Sequence, residues 1–230
     1  MPDKGFVKGL FLDISPCYDK MNGIISLGQH KRWRRKAIKK ADFTKGGRVL
    51  DVGCGTGDFC IELERAGLEV FGIDSVSSML KIAKSKITSL FSILNSQFSM
   101  ADAHSLPFLD NSFDGITIGF ALRHLEIPIF FDEARRVLKP KGKIVILEVS
   151  SPKSLLLRWF HRLYLQRIVP AIAYIFCSKT REYAYLHQSY ELYMPKQEKL
   201  ERLFCEKGFS EISTIPLFFG ACSIFIATKG

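Results

Sequence analysis

RVLDVGCGTGDF, residues 48–59, runs from a continuous apolar stretch into a glycine-rich turn and on into a helical pattern. Arg48 to Val52 reads as a buried strand and Asp58 to Ala66 as a helix, with Gly53-Cys54-Gly55-Thr56-Gly57 between them. Downstream the same alternation repeats. Leu68 to Ile73 is a second strand that closes on Asp74, and Ser77 to Ile87 is a helix with Met79, Ala83 and Ile87 on one face. Ser96 to Met100, Phe113 to Phe120 and Lys143 to Val149 follow as strands. Ile129 to Leu138 reads as a helix, stopped by Lys139-Pro140-Lys141-Gly142. Strands separated by helices make βαβ units, and their near-continuous apolar character fits a parallel sheet covered on both faces. The C-terminus differs. A helix over Lys196 to Lys207 ends at Gly208. Phe209 to Leu217 and Cys222 to Thr228 are then separated by four residues, short enough for an antiparallel hairpin. The expected fold class is therefore α/β, with a mostly parallel sheet and one antiparallel strand at its end.

With 230 residues, 47% of them hydrophobic and 24% charged, the chain suits one globular domain. The net charge of +10 is uneven: +7 over residues 1–47, −2 over 48–150 and +5 over 151–230. Basic flanks suit a nucleic acid, an anionic membrane surface or a solvated face, and charge alone does not choose among them. The six cysteines are scattered, with no C-x-x-C pair and no His at ligand spacing, so neither a metal site nor a disulfide scaffold is expected. The first residues lack a secretory apolar segment, which gives a reducing, cytoplasmic setting as the expectation.

A glycine turn at the carboxyl end of a first strand is where open α/β sheets bind ligands. Two phosphate-binding patterns fail here. G-x-G-x-x-G needs a third glycine where Asp58 stands, and the P-loop Gly-Lys-Ser/Thr is absent. A carboxylate in the turn repels a pyrophosphate but suits a cationic cofactor without phosphates. S-adenosyl-L-methionine is such a cofactor, and its sulfonium and amino groups match Asp51 and Asp58. In this reading Gly53, Gly55, Thr56 and Gly57 cradle it, and Asp74 accepts both ribose hydroxyls. Asp102 accepts from the adenine amino group beside the Ala103 amide.

DVGCGTGDF, GIDSVSSML, ADAHSLPFLDNSFD and RRVLKPKGKIVILE together resemble the class I S-adenosylmethionine-dependent methyltransferases. That resemblance implies a Rossmann-like sheet of seven strands in the order 3-2-1-4-5-7-6, in agreement with the hairpin. The flanks narrow it. YDKMNGIISLGQHKRW (18–33) is similar to the Y-D-x-M-N and S-x-G-x-H-x-x-W runs of the ubiquinone/menaquinone C-methyltransferase family. Gly119 to His124 (GFALRH) is similar to its F-G-L-R-N run, with His124 where that family usually carries Asn and Gly119 where it usually carries Ser. YAYL (183–186), Met194-Pro195-x-Gln197-x-x-Leu200 and Gly208-Phe209 match its C-terminal stretch.

The resemblance implies methyl transfer to a ring carbon of a reduced prenylated quinone: demethylmenaquinol, and also a ubiquinone precursor in some members. A hydroquinone carbon becomes nucleophilic when the adjacent hydroxyl, of pKa about 10, loses its proton. Arg123, whose charge is permanent, is the expected stabiliser of that phenolate. His124 is expected as base or as the group that orients a water, and Tyr18 as a contact to the ring hydroxyl. Gly119 is counted with the cofactor-binding residues. His30 and Trp33 are expected only to hold the first helices in place.

One domain is expected, comprising an N-terminal helical lid (1–47), a cofactor-binding core (48–150), a helical insertion facing substrate or membrane (151–195), and a C-terminal helix with the hairpin (196–230). A prenyl tail implies peripheral contact with a membrane. Leu155 to Arg167 reads as a basic amphipathic helix, with Leu156, Trp159, Phe160, Leu163 and Tyr164 on one arc, and it serves either as a lipid contact or as the wall of a tail tunnel. No nucleic-acid partner is expected, and a homodimer is left open. The rival readings are an RNA or DNA methyltransferase and a non-catalytic S-adenosylmethionine-binding subunit. Against the first, strand four does not lead into an Asn/Asp-Pro-Pro-Tyr-like run. Against the second, the glycine turn is intact and Arg123 is present.

Overall fold

The structure, a computed structural model, describes residues 3–91 and 96–230. Three helices come first: α1 (Lys4–Ile14), α2 (Tyr18–Ile25) and α3 (Gln29–Ala41). The core then alternates β1 (Arg48–Val52), α4 (Asp58–Arg65), β2 (Glu69–Asp74), α5 (Ser77–Leu90), β3 (Ser96–Met100), β4 (Phe113–Gly119), α6 (Ile127–Val137) and β5 (Leu138–Val149). Four helices follow: α7 (Leu155–Leu163), α8 (Val169–Cys177), α9 (Thr180–Tyr193) and α10 (Gln197–Glu206). The chain ends in β6 (Phe209–Leu217) and β7 (Cys222–Lys229).

The seven strands form one sheet in the order β3-β2-β1-β4-β5-β7-β6, as the resemblance implied. β1 pairs in parallel with β2 and β4, whereas β7 runs antiparallel between β5 and β6. The four residues between β6 and β7 permit only a hairpin, which forces that reversal. Apolar clusters cover both faces. On one, Phe131 stacks on Phe204 with ring centroids 4.6 Å apart, tying α6 to α10. On the other, Phe59 and Leu63 of α4 pack with Val49, Val145 and Ala37. Burying each Phe is worth about 2–3 kcal/mol.

The structure differs from the sequence reading in two places. β5 begins at Leu138, five residues early, because Leu138 pairs with Phe113 before the register jumps to Lys143 opposite Gly115. Pro140 and left-handed Lys141 (φ 63°) loop out between those pairs as a bulge. The helix expected over 155–167 is not uniform either. After α7 the chain widens into a π-turn over Tyr164–Ile168, in which the Val169 N–H bonds the Tyr164 carbonyl. Pro170 lies directly beyond; it lacks an N–H and its ring crowds the carbonyl four residues back, which a widened turn relieves. Among the described residues no helix is long and apolar enough to cross a membrane.

Candidate active site

Two cavities open at the carboxyl edge of the sheet. The first, of about 460 Å³, lies over the ends of β1, β2 and β4. Gly53 (φ 63°) and Gly55 (φ 53°) form its floor, in backbone conformations that a Cβ disfavours. A Cβ on Gly53 would stand 2.9 Å from that of Ala121. Asp74 terminates β2 at the cavity wall. Its Oδ2 accepts the Gly55 N–H at 2.9 Å and its Oδ1 the Val76 N–H at 2.8 Å. Burial pushes its pKa up against those two amides. Asp102 and Ala103 line the far side. Asp102 Oδ1 accepts the backbone N–H of His104 at 2.9 Å and lies 2.6 Å from His104 Nδ1. Burial favours its neutral form, but His104 and Lys4 outweigh that and hold its pKa at about 2. The Glu126 N–H donates to His104 Nε2 at 2.8 Å, so Nδ1 carries the ring proton and donates to Asp102.

Asp51, Thr56 and Gly57 do not line this cavity. Asp51 is buried beneath the turn, where it accepts Thr117 Oγ1 at 2.7 Å and Cys60 Sγ at 3.2 Å. Burial raises its pKa to about 6 in spite of both donors. Thr56 donates to Asp19 of α2 at 2.5 Å, and Gly57 packs against Ala83. These three hold the turn from behind. Asp58 also faces away. Lys86 Nζ joins it at 2.7 Å to Asp19 at 2.8 Å, and His30 Nδ1 lies 3.3 Å from its other oxygen. This cluster latches α2 and α3 onto the core, the role expected for His30.

The second cavity, of about 500 Å³, is walled by α1, α2, α3, α7, α9 and the β6–β7 corner. Its lining is overwhelmingly apolar. Phe11, Tyr18, Phe120 and His124 line both cavities and form the seam between them. Phe120 holds a left-handed backbone (φ 60°) at this point. His124 ends a short 3₁₀ turn after β4. Its ring lies edge-on to Phe11 and stacked on Tyr185, 5.8 Å away, and neither buried ring nitrogen has a hydrogen-bond partner. Burial, helped by the neighbouring Arg123 charge, lowers its pKa to about 2. Tyr18 opens α2 across the seam, and burial raises its phenol pKa.

Arg123 lines the second cavity but is not a free cation. Its Nη1 donates to Glu148 Oε1 at 2.6 Å and to the Phe120 carbonyl at 2.9 Å, and its Nε to Ser189 Oγ at 3.0 Å. Glu148, fully buried at the end of β5, went unread in the sequence, although a carboxylate in the run IVILEV is itself a signal of a buried partner. Phe11 and Tyr185 carried no comparable signal, since each meets His124 across the fold, whereas His104 is held locally by Asp102.

The burial of His124 fixes a pH dependence. In the unfolded chain an imidazole titrates near 6.5, so below that pH the unfolded state binds a proton that the native state refuses. Stability therefore falls as pH drops through that value. Between about pH 6.5 and about pH 5 the parent should lose about 1.5–2 kcal/mol relative to His124→Asn, measured by urea unfolding at each pH. Parallel curves would show that His124 takes up its proton when folded.

The model of the ubiE/COQ5 methyltransferase family matches residues 2–229. The chain belongs to that family. The enzyme is 38% identical over 227 residues to the demethylmenaquinone methyltransferase of Staphylococcus saprophyticus, covering 97% of this chain and 96% of the relative. In fold it is similar to the magnesium protoporphyrin IX methyltransferase of Synechocystis PCC 6803 with bound S-adenosylhomocysteine (TM-score 0.68, 17% identity, 99% and 100% of the two chains). It is similar also to an S-adenosylmethionine-dependent methyltransferase from Aquifex aeolicus (TM-score 0.65, 18% identity, 92% and 98%). The enzyme is thus an S-adenosylmethionine-dependent methyltransferase with a Rossmann-like fold.

Proposed function

We propose that the enzyme methylates the ring carbon beside a hydroxyl of a reduced, prenylated quinone, with demethylmenaquinol as its main acceptor. The seam carries this reading: a cavity with the acidic and glycine furniture of the cofactor site meets a large apolar one, and a neutral histidine and a tyrosine stand where they join. The relative's name favours the menaquinone type. Asp74 fits the cofactor, because its carboxylate is held by backbone donors with lone pairs left for ligand hydroxyls, and Asp102, held by His104 and Lys4, keeps a lone pair on Oδ2 for an amino group. Bound there, S-adenosylmethionine would supply an electrophilic methyl, its sulfur keeping the electron pair of the broken bond.

The residues of this chain then act on the acceptor. His124, neutral at ordinary pH, offers a lone pair to the ring hydroxyl. Arg123, although paired with Glu148, lines the same cavity, and its charge would favour a phenolate there. Tyr18 hydrogen-bonds that oxygen. The ring carbon gains the methyl, and as aromaticity returns its own proton passes through solvent to the ring oxygen, so that the quinol is restored and one proton, first lost from the hydroxyl, is released to water. Helices α1–α3 act as a lid that excludes water, and the tail occupies the apolar cavity, which requires contact with the bilayer where such tails dissolve.

The test is a transfer assay with demethylated naphthoquinol and benzoquinol acceptors, each reduced and short-tailed, read by mass analysis of the ring. The naphthoquinol should become one CH₂ heavier, at a higher kcat/KM than the benzoquinol. A ring left unmethylated in both, by protein that still binds the cofactor, would remove the proposal.

A further inference from the structure

Three large apolar residues combine two unfavourable features. Leu27 (φ 51°), Phe218 (φ 44°) and Phe219 (φ 57°) all hold left-handed backbone, where the Cβ of an L residue is crowded. They are also 69%, 50% and 78% exposed. Glycine or asparagine would meet the backbone requirement with less strain and without apolar surface in water. Phe218 lies between the rings of Trp33 and Phe219, but all three residues keep half or more of their surface in water. The three come from two distant corners, one between α2 and α3 and one between β6 and β7, yet all line the mouth of the apolar cavity. Trp33 bridges the corners, its ring 6.3 Å from that of Phe218.

Helix α7 borders the same mouth. Leu157, Phe160 and Tyr164 face the cavity, whereas Leu155, Leu156 and Trp159 stand outside it, 58–78% exposed. The apolar arc expected from the sequence as either lipid contact or tunnel wall is thus divided, with Phe160, Leu163 and Tyr164 on the cavity and Leu156 and Trp159 on the outer surface. Charge is equally one-sided. From residue 149 to 181 the chain has six Lys and Arg and no Asp or Glu, and Arg158, Arg162 and Arg167 are exposed.

We infer that this face seats on an anionic lipid bilayer, with Leu27, Phe218 and Phe219 sunk below the headgroups and the α7 arginines against the phosphates. The mouth of the cavity then opens into hydrocarbon, and a prenyl tail enters without crossing water. This use of the seat rests on the acceptor proposed above; the seat itself does not. An aromatic and cationic surface of this kind is the chemistry of an interfacial anchor. A second copy fits poorly, because a two-fold contact would set the acid-free α7 segments of both copies against each other.

The test uses the full chain and quinone-free vesicles, either phosphatidylcholine alone or equal parts of phosphatidylcholine and phosphatidylglycerol. The parent should sediment with the anionic vesicles, less so in high salt, and poorly with the neutral ones. Phe218→Asn, Phe219→Asn and Leu27→Asn suit the left-handed backbone, so each should keep or raise Tm. Each Phe variant should weaken vesicle partition about tenfold or more. Equal partition of parent and variants would overturn the seat, as would a parent dimer in sedimentation velocity that the variants dissolve. Vesicle binding by a protein that methylates no soluble hydroquinone would uphold the seat while defeating the acceptor.

Discussion

Replacing Arg123 with alanine is expected to lower stability by about 3–5 kcal/mol and turnover by about 10²–10³-fold. The two losses have different origins. Glu148 is fully buried, and its Oε1 accepts from Arg123 and from the Val149 N–H. Its Oε2 has no hydrogen-bond partner. Removing the guanidinium strands that carboxyl in a dry interior, and urea unfolding reports the cost. The turnover loss comes from the missing positive charge beside the seam. A second variant separates them. Arg123→Met with Glu148→Leu replaces the ion pair by apolar groups of similar volume, a change that is often neutral for stability. The double variant should therefore regain most of the lost stability and none of the lost turnover. Arg123→Lys should recover little activity, because one ammonium cannot reach Glu148, the Phe120 carbonyl and Ser189 together. If the alanine variant turned over at the parent rate, the pair would be structural only.

Only half of this expectation was legible in the sequence, which shows Arg123 as a cation after β4 but not its distant partner Glu148. The contrast with the sheet is physical. β1, β2 and β4 are buried on both faces, so their apolar runs mark their ends to within a residue or two. The hairpin of β6 and β7 follows from a short connection. Backbone irregularities follow neither rule. Phe218 and Phe219 carry no signal for left-handed backbone, and the π-turn at Tyr164 is hinted at only by Pro170 beyond it. The glycine turn divides in the same way. Gly53 and Gly55 reach the cavity, whereas Asp51 is drawn beneath the turn by Thr117 and Cys60, Thr56 turns to Asp19, and Gly57 packs on Ala83. Spacing locates such a turn without saying which of its side chains point at the ligand.

Asp74→Ala should weaken S-adenosylmethionine binding by more than about 100-fold in titration calorimetry. A carboxylate that accepts two ribose hydroxyls contributes about 1.5–3 kcal/mol for each bond, and two such losses exceed two decades. The structure adds a second cost. The same carboxylate holds the Gly55 and Val76 amides, so the alanine variant also loosens the glycine turn on which the cofactor rests. Asp74→Asn sharpens the test. The asparagine amide group would turn its NH₂ toward one of those two backbone N–H groups, donor against donor, so the near-isosteric change should behave almost like alanine. A surface aspartate would tolerate it. Acid sharpens it further. Burial raises the Asp74 pKa, so its carboxylate is protonated, and cofactor affinity lost, at a higher pH than for an ordinary aspartate. Affinity that is unchanged in Asp74→Asn, and flat with pH down to the ordinary carboxylate range, would place the ribose elsewhere in the cavity.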